Sequence, residues 1–165
     1  MRQTDRGTGN WIAVFFATGA GVGFLPFAPG TWGSLLPLPL IYVQLDWEIL
    51  PKLLFWIPLF FIGVWSASRF DAVYQTQDNS KIVIDEILGM AIACLFASNL
   101  TEIFMAFLLF RVFDILKPPP IRWVDRLSKK KSASTGLTVI LDDLIAGAFA
   151  LGCFALLTRL PWFSV

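Results

Sequence analysis

Leu53-Leu-Phe-Trp-Ile-Pro-Leu-Phe-Phe-Ile-Gly-Val-Trp-Ser-Ala-Ser68 carries no charge and is closed off by Lys52 and Arg69. A helix needs roughly 17–25 mostly apolar residues to cross a hydrocarbon core about 30 Å thick. The stretch from Lys52 to Arg69 therefore reads as a clear span. Leu144–Leu157 is a second uncharged block near the other end of the chain. Around these blocks the 165 residues are 56% hydrophobic, with a mean hydropathy of +0.69. Soluble domains average roughly 45–50% apolar residues. The expected fold is all-α: a multi-pass transmembrane helical bundle of about 4–5 spans, with an N-terminal interfacial or re-entrant segment.

The rest of the chain is organised around these spans. Residues 1–10 read as a polar tail, and 11–165 as one membrane-embedded domain. The apolar stretch after the tail has no small-residue cleavage site, so no removable signal peptide is expected. Trp11–Phe24 is apolar but glycine-rich, and Pro26, Pro29 and Gly30 break any helix that follows. Thr31-Trp-Gly-Ser34 opens an apolar stretch reaching about Leu45. A polar hairpin is expected over Asp71–Lys81, a short span over Ile82–Ala97 and a tight turn at Ser98–Glu102. Ile103–Leu116 returns across the membrane. Lys117–Gly136 is the longest polar loop, and Leu137–Leu157 is the last span.

Counting sides from the Pro29-Gly-Thr loop as inside puts Arg69, Lys81, Arg111, Lys117, Arg122, Arg126 and Lys129-Lys-Lys131 on that side. Lys52 and Arg159 fall on the other. This is the positive-inside pattern, with the inner side cytoplasmic. If Trp11–Phe24 spans fully, only the tail changes side.

Net charge is +1, which gives no global pull toward nucleic acid. Cys94 and Cys153 lie in apolar stretches without a CxxC partner, so no zinc or disulfide framework is expected. Histidine is absent. That removes Ser-His-Asp hydrolases, His-ligated zinc enzymes and phosphohistidine chemistry. Cys153-x5-Arg159 has the spacing of a cysteine phosphatase, but the residues between are apolar helix formers and offer no glycine-bearing phosphate loop. Asn99-Leu-Thr101 reads as a chance glycosylation sequon in a short turn.

Most of the acids gather at one membrane face. Asp85, Glu86, Asp114, Asp125, Asp142 and Asp143 fall with Arg111, Lys117, Arg122 and Arg126 at the inner ends of spans or in the loop between them. A charge at a helix centre costs about 2.5–3.5 kcal/mol on insertion scales, and less toward the ends. Arg111–Asp114 and Arg122–Asp125 have the i,i+3 spacing to satisfy each other. Asp85-Glu86 and Asp142-Asp143 have no base within one turn on their apolar side.

The six acids against four bases leave −2, which would repel a phosphate unless a divalent cation intervened. Oxygen ligands without His or Cys suit Mg²⁺, and the implied chemistry is metal-assisted phosphoryl transfer. Adjacent helical residues point about 100° apart. Each acidic pair should therefore send one carboxylate to metal and the other to a second role. In Pro29-Gly-Thr-Trp-Gly-Ser34, Thr31 or Ser34 is expected to cap the following helix, whose N–H groups would favour an anion. Gly30 and Gly33 would allow close backbone approach.

The motifs Pro29-Gly-Thr-Trp-Gly-Ser34, Ile82-Val-Ile-Asp-Glu-Ile-Leu-Gly-Met90, Phe110-Arg-Val-Phe-Asp-Ile-Leu-Lys-Pro118, Ile121-Arg-Trp-Val-Asp125 and Leu141-Asp-Asp-Leu-Ile-Ala-Gly147 occur in that order. Together they resemble the phosphatidylglycerophosphatase A family of bacterial inner-membrane lipid phosphatases, over roughly residues 12–158. The resemblance implies Mg²⁺-dependent removal of the terminal phosphate of phosphatidylglycerophosphate, with the site facing the cytoplasm. By that resemblance Asp85, Glu86, Asp114, Asp142 and Asp143 are catalytic, with Asp85, Glu86, Asp142 and Asp143 on metal. Thr31, Ser34, Arg111, Lys117 and Arg122 bind phosphate, supported by Asp125, Gly30 and Gly33. The loop Leu127–Thr138 departs from the family's glycine-rich stretch, and its basic run could hold anionic lipid near the site.

Two other classes are open to the same residues. A cation transporter or channel would also carry intramembrane acids, but distributed through the membrane depth. A non-catalytic membrane assembly factor would tolerate neutralisation of Asp85 and Asp143.

Overall fold

The computed structural model describes residues 8–128 and 135–157. Most of the tail over 1–10, the Lys129-Lys-Lys131 run and Arg159 of the Cys-x5-Arg spacing lie outside the described residues. Within them every regular element is helical. They are α1 (Thr8–Ala17), α2 (Pro29–Leu35), α3 (Leu38–Val43), α4 (Ile49–Tyr74), α5 (Ile84–Ala93), α6 (Leu100–Leu116), α7 (Ile121–Ser128) and α8 (Gly136–Leu157), with a 3₁₀ turn at Val22–Phe24.

Two helices, α4 with 26 residues and α8 with 22, are long and apolar enough to cross a membrane. The α4 surface carries Leu50, Leu54, Ile57, Phe61 and Trp65 exposed along its length. An uncovered apolar face of this extent suits a lipid surround. By contrast, α5 has ten residues, about 15 Å at 1.5 Å per residue. It therefore covers only half the distance expected of a span over Ile82–Ala97. Likewise α1 has ten residues and is followed by a run of left-handed backbone at Gly19, Ala20 and Gly21.

Several boundaries differ from the expected ones, each for a local reason. The N-terminal helix begins at Thr8, inside the expected tail, because α1 packs along α4 and Asn10 accepts a 3.0 Å hydrogen bond from Arg69 Nε. The α4 helix runs through Tyr74 and stops at left-handed Gln75, so the polar hairpin is shorter than Asp71–Lys81. Asp71 closes that turn by accepting from Thr76 Oγ1 and from the Asp78 N–H, both at 2.8 Å.

The Ser98–Glu102 turn is a helix start. Asn99 Oδ1 accepts from the Glu102 N–H at 3.0 Å, and the Glu102 carboxylate accepts from the Ser98 N–H at 2.7 Å, a reciprocal cap. The Asn99 side chain thus has a structural task that does not involve the sequon. The expected Lys117–Gly136 loop contains α7, whose polar composition hides a short face: Ile121 and Asp125, one turn apart, are buried where α7 packs on α8.

The centre of the fold is α5. It is buried along most of its length and touches α2, α4, α6 and α8. Its closest partner is α8, and the reason is a pair of glycines. A Cβ on Gly147 would collide with the Gly89 carbonyl oxygen. A Cβ on Gly89 would sit 2.6 Å from both the Asp143 carbonyl oxygen and the Phe110 ring. Small residues that let two backbones touch are the usual means of helix association in membranes, where burying apolar surface gives little drive.

Substituting Gly147 by Leu forces this contact apart. Overpacking costs about 1–3 kcal/mol even where side chains can move aside, and here the obstacle is backbone. Thermal unfolding in detergent should show a marked drop in Tm for Gly147→Leu. Gly152 has open space around it in the same helix, and Gly152→Leu should leave Tm within a few degrees of the parent.

Candidate active site

Asp85 and Glu86 occupy the first turn of α5. Asp143 stands four residues before Gly147, and Asp85 four residues before Gly89. Residues four apart share a helix face, so the glycine contact carries the two acids toward each other one turn away. Asp85, Glu86 and Asp143 each place a carboxylate oxygen within 4.8 Å of the others'. Asp85 and Asp143 are buried and Glu86 is half-buried. Asp85 Oδ1 and Glu86 Oε2 are buried without a hydrogen-bond partner. Orphaned buried carboxylate oxygens are costly unless something binds them.

The second acid of the α8 pair has a separate role. Asp142 Oδ2 lies 2.5 Å from Lys117 Nζ, and the same ammonium reaches Asp125 Oδ1 at 2.7 Å. Lys117 caps the end of α6 with left-handed backbone, so this one side chain ties α6 to α7 and α8. Burial disfavours its charge, but Asp142 and Asp125 outweigh that and hold its pKa above the usual lysine value. Asp125 therefore takes its ion pair from Lys117. Arg122 is exposed and donates to the Leu116 carbonyl at 3.4 Å.

Arg111 forms the other charged unit. It pairs with Asp114 one turn on, and its guanidinium reaches Ser34 Oγ and Thr31 Oγ1, each at 3.4 Å. The expected capping role of Thr31 and Ser34 is not what the structure has. Helix α2 begins earlier, at Pro29, whose fixed φ favours the first helical position. The Thr31 and Trp32 N–H groups are spent on the Ala28 carbonyl, and Ser34 Oγ donates back to the Gly30 carbonyl at 2.8 Å. What α2 offers is two hydroxyls on Arg111, with no open row of N–H groups.

Gly30 and Gly33 are points of close approach. A Cβ on Gly30 would strike Glu86 Oε1 and stand 3.5 Å from Arg111 Nη1; one on Gly33 would meet Val83 Cβ at 2.7 Å. The Glu86 carboxylate and the Arg111 guanidinium thus lie side by side over Gly30.

The site therefore divides into three parts: a carboxylate triad with free oxygens, a guanidinium beside it, and a lysine that locks the helices around it. The donor set fits a hard divalent cation such as Mg²⁺: all oxygen, anionic, partly unsatisfied. Asp85, Glu86 and Asp143 would hold it. Sequence reasoning did not single out Gly89 and Gly147. Their signal was present as Asp-x-x-x-Gly, once in each acidic segment.

The family model described as phosphatidylglycerophosphatase A matches residues 15–158. The phosphatidylglycerophosphatase A of Escherichia coli (strain K12) is 33% identical over 140 residues, covering 82% of this chain and 77% of its own. That of Haemophilus influenzae is 35% identical over 137 residues, 81% of each. A Bacteroides thetaiotaomicron protein with the provisional name phosphatidylinositol-3-phosphatase is 33% identical over 163 residues, 93% of this chain and 96% of its own. No solved structure matches the chain.

Replacing Lys117 by Met would leave Asp125 and Asp142 buried without their shared cation. Breaking a buried pair in this way costs about 3–5 kcal/mol. Lys117→Met should lower Tm more than Arg122→Met, whose guanidinium is exposed; differential scanning fluorimetry in detergent reads both. The family model over residues 15–158, with relatives 33% and 35% identical over 82% and 81% of the chain, leads to one assignment: the chain belongs to the phosphatidylglycerophosphatase A family of lipid phosphatases.

Proposed function

We propose that this protein is a Mg²⁺-dependent phosphatase that converts phosphatidylglycerophosphate to phosphatidylglycerol and phosphate at the cytoplasmic face of a bacterial inner membrane, as a multi-pass protein. The observation that carries the reading is the triad of Asp85, Glu86 and Asp143 with two unpartnered oxygens, set beside Arg111. The named substrate follows the E. coli and H. influenzae relatives. The membrane assignment rests on the two long apolar helices and the sidedness of the basic residues.

In the net reaction a water oxygen bonds to phosphorus as the bond from phosphorus to the glycerol oxygen breaks, and the glycerol oxygen takes up a proton. A Mg²⁺ ion held by the triad would neutralise phosphoryl charge and make a bound water more acidic. The chain's own groups do the remaining work. Arg111 can present its planar fork to phosphoryl oxygens, which suits phosphate better than a point charge does. Thr31, Ser34 and Asp114 fix where that fork points. Lys117, through Asp142 and Asp125, holds α8 so that Asp143 faces α5.

The B. thetaiotaomicron relative, which matches over nearly its whole length, favours a second headgroup: an inositol 3-phosphate in place of glycerophosphate.

Phosphate release should be measured with purified protein on phosphatidylglycerophosphate, phosphatidylinositol 3-phosphate and phosphatidate, with Mg²⁺ or EDTA. The expected result is highest kcat/KM on phosphatidylglycerophosphate, loss of activity in EDTA and recovery on adding Mg²⁺. Asp85→Asn and Asp143→Asn should each lose at least about 100-fold, the scale of removing a group that stabilises transition-state charge. Turnover undiminished by EDTA would sink the metal-dependent reading. Higher kcat/KM on the inositol lipid would replace the substrate.

A further inference from the structure

The end of the bundle opposite the acids contains a second polar site that the phosphatase reading does not use. Lys52, in the first turn of α4, is 8% exposed, and Gln44, just after α3, is 2% exposed. A lysine near the end of an apolar helix ordinarily extends its ammonium outward to water or headgroups. Lys52 instead folds inward and donates to the Leu95 carbonyl at 3.3 Å, beyond the C-terminal end of α5. No carboxylate among the described residues pairs with it.

Gln44 is oriented unambiguously. The Trp56 indole N–H can only donate, and it donates to Gln44 Oε1 at 2.9 Å. The Gln44 amide nitrogen is therefore the free end, buried and without a partner. Lys52, Gln44 and Trp56 line one small pocket of about 10 Å³, room for roughly one water-sized group. Two donors, one of them cationic, line a space whose one described acceptor for them is the Leu95 carbonyl, taken by Lys52, which leaves the Gln44 amide nitrogen with none. An anionic oxygen satisfies both.

The pocket adjoins apolar space. It shares Trp56, Ala91 and Leu95 with a groove of about 220 Å³ between α4 and α5. The groove runs past Leu53, Ile57 and Leu88 toward Leu144 on α8, and Leu53 and Ile57 leave it open to the outside of the bundle. An isolated anion would use the pocket and leave the groove unexplained; an apolar ligand would fill the groove and leave the donors unsatisfied.

We infer that pocket and groove together bind one anionic phospholipid, a phosphate oxygen between Lys52 and Gln44 and an acyl chain in the groove. This lipid enters at the membrane face opposite the carboxylate triad. It is therefore a resident of the structure, distinct from the substrate.

The test is native mass spectrometry of the full-length protein after delipidation. Palmitoyl-oleoyl phosphatidylglycerol or the matching phosphatidylcholine is then added back. The wild type should keep one phosphatidylglycerol with at least about tenfold preference over phosphatidylcholine, a tenfold ratio being about 1.4 kcal/mol. Lys52→Met should abolish that preference, Lys52→Arg should keep it, and Asp143→Asn, at the other end, should keep it too. Gln44→Leu should weaken retention and serves as the reporting variant if Lys52→Met does not fold.

Equal retention of the two lipids by the wild type would mean that the pocket holds water only, and would overturn the inference. So would undiminished retention in Lys52→Met, or in Gln44→Leu where that is the reporter. Loss in Asp143→Asn alone would place the bound lipid at the acid triad and overturn it as well.

Discussion

The contact between the backbones of α5 and α8 at Gly89 and Gly147 is the constraint on which the rest of the structure depends. Without side chains at these two positions the helices meet at carbonyl distance. Both helices begin at the same end of the bundle, and each carries its acids in the turn before its glycine. Helix packing and site assembly are therefore one event. Asp85 and Asp143 are positioned by the helices that carry them, the more precise way to hold a constellation.

The charges around that contact are sorted. Lys117 takes Asp125 and Asp142; Arg111 takes Asp114. What is left over, Asp85, Glu86 and Asp143, is a compact anionic group whose unsatisfied oxygens ask for a cation. The division of labour expected within each pair is visible on α8, where Asp143 turns to the triad and Asp142 to the lysine, as a 100° step between neighbours requires. It is not visible on α5, where both acids join the triad. There the first turn faces α8 on one side and Gly30 on the other, and Gly30 leaves room for Glu86 to reach inward. The clustering at one end also argues against an ion path, which needs polar groups through the depth of the bundle.

Much of this was legible in the sequence, and the limits have physical causes. The two long apolar helices were plain because each holds an unbroken uncharged block, Leu53–Ser68 in one and Leu144–Leu157 in the other. Side-counting placed Asp85, Glu86, Asp142 and Asp143 together at one end, since topology brings the ends of alternate helices together; which three meet depends on packing. The ion-pair partners were only half legible. Arg111–Asp114 is a local i,i+3 pair and could be read from spacing. The Lys117–Asp142 pair joins residues 25 apart in sequence, and only tertiary packing reveals it. Helix α7 was hidden because its buried face is little more than Ile121 and Asp125. The start of α2 was misread because Pro29, taken as a breaker, is a helix initiator at the first position.

The most direct test of the central claim is to count and weigh the metal site itself. Mn²⁺, a paramagnetic substitute for Mg²⁺, can be titrated into the purified protein and followed by electron paramagnetic resonance. If the glycine contact gathers Asp85, Glu86 and Asp143 around one cation, the wild type binds a single Mn²⁺. Asp143→Asn then weakens it by at least about tenfold, or about 1.4 kcal/mol, while Asp142→Asn, whose partner is Lys117, leaves it within a few-fold. Equal Mn²⁺ affinity in the wild type and Asp143→Asn, or a greater loss in Asp142→Asn than in Asp143→Asn, would contradict the account.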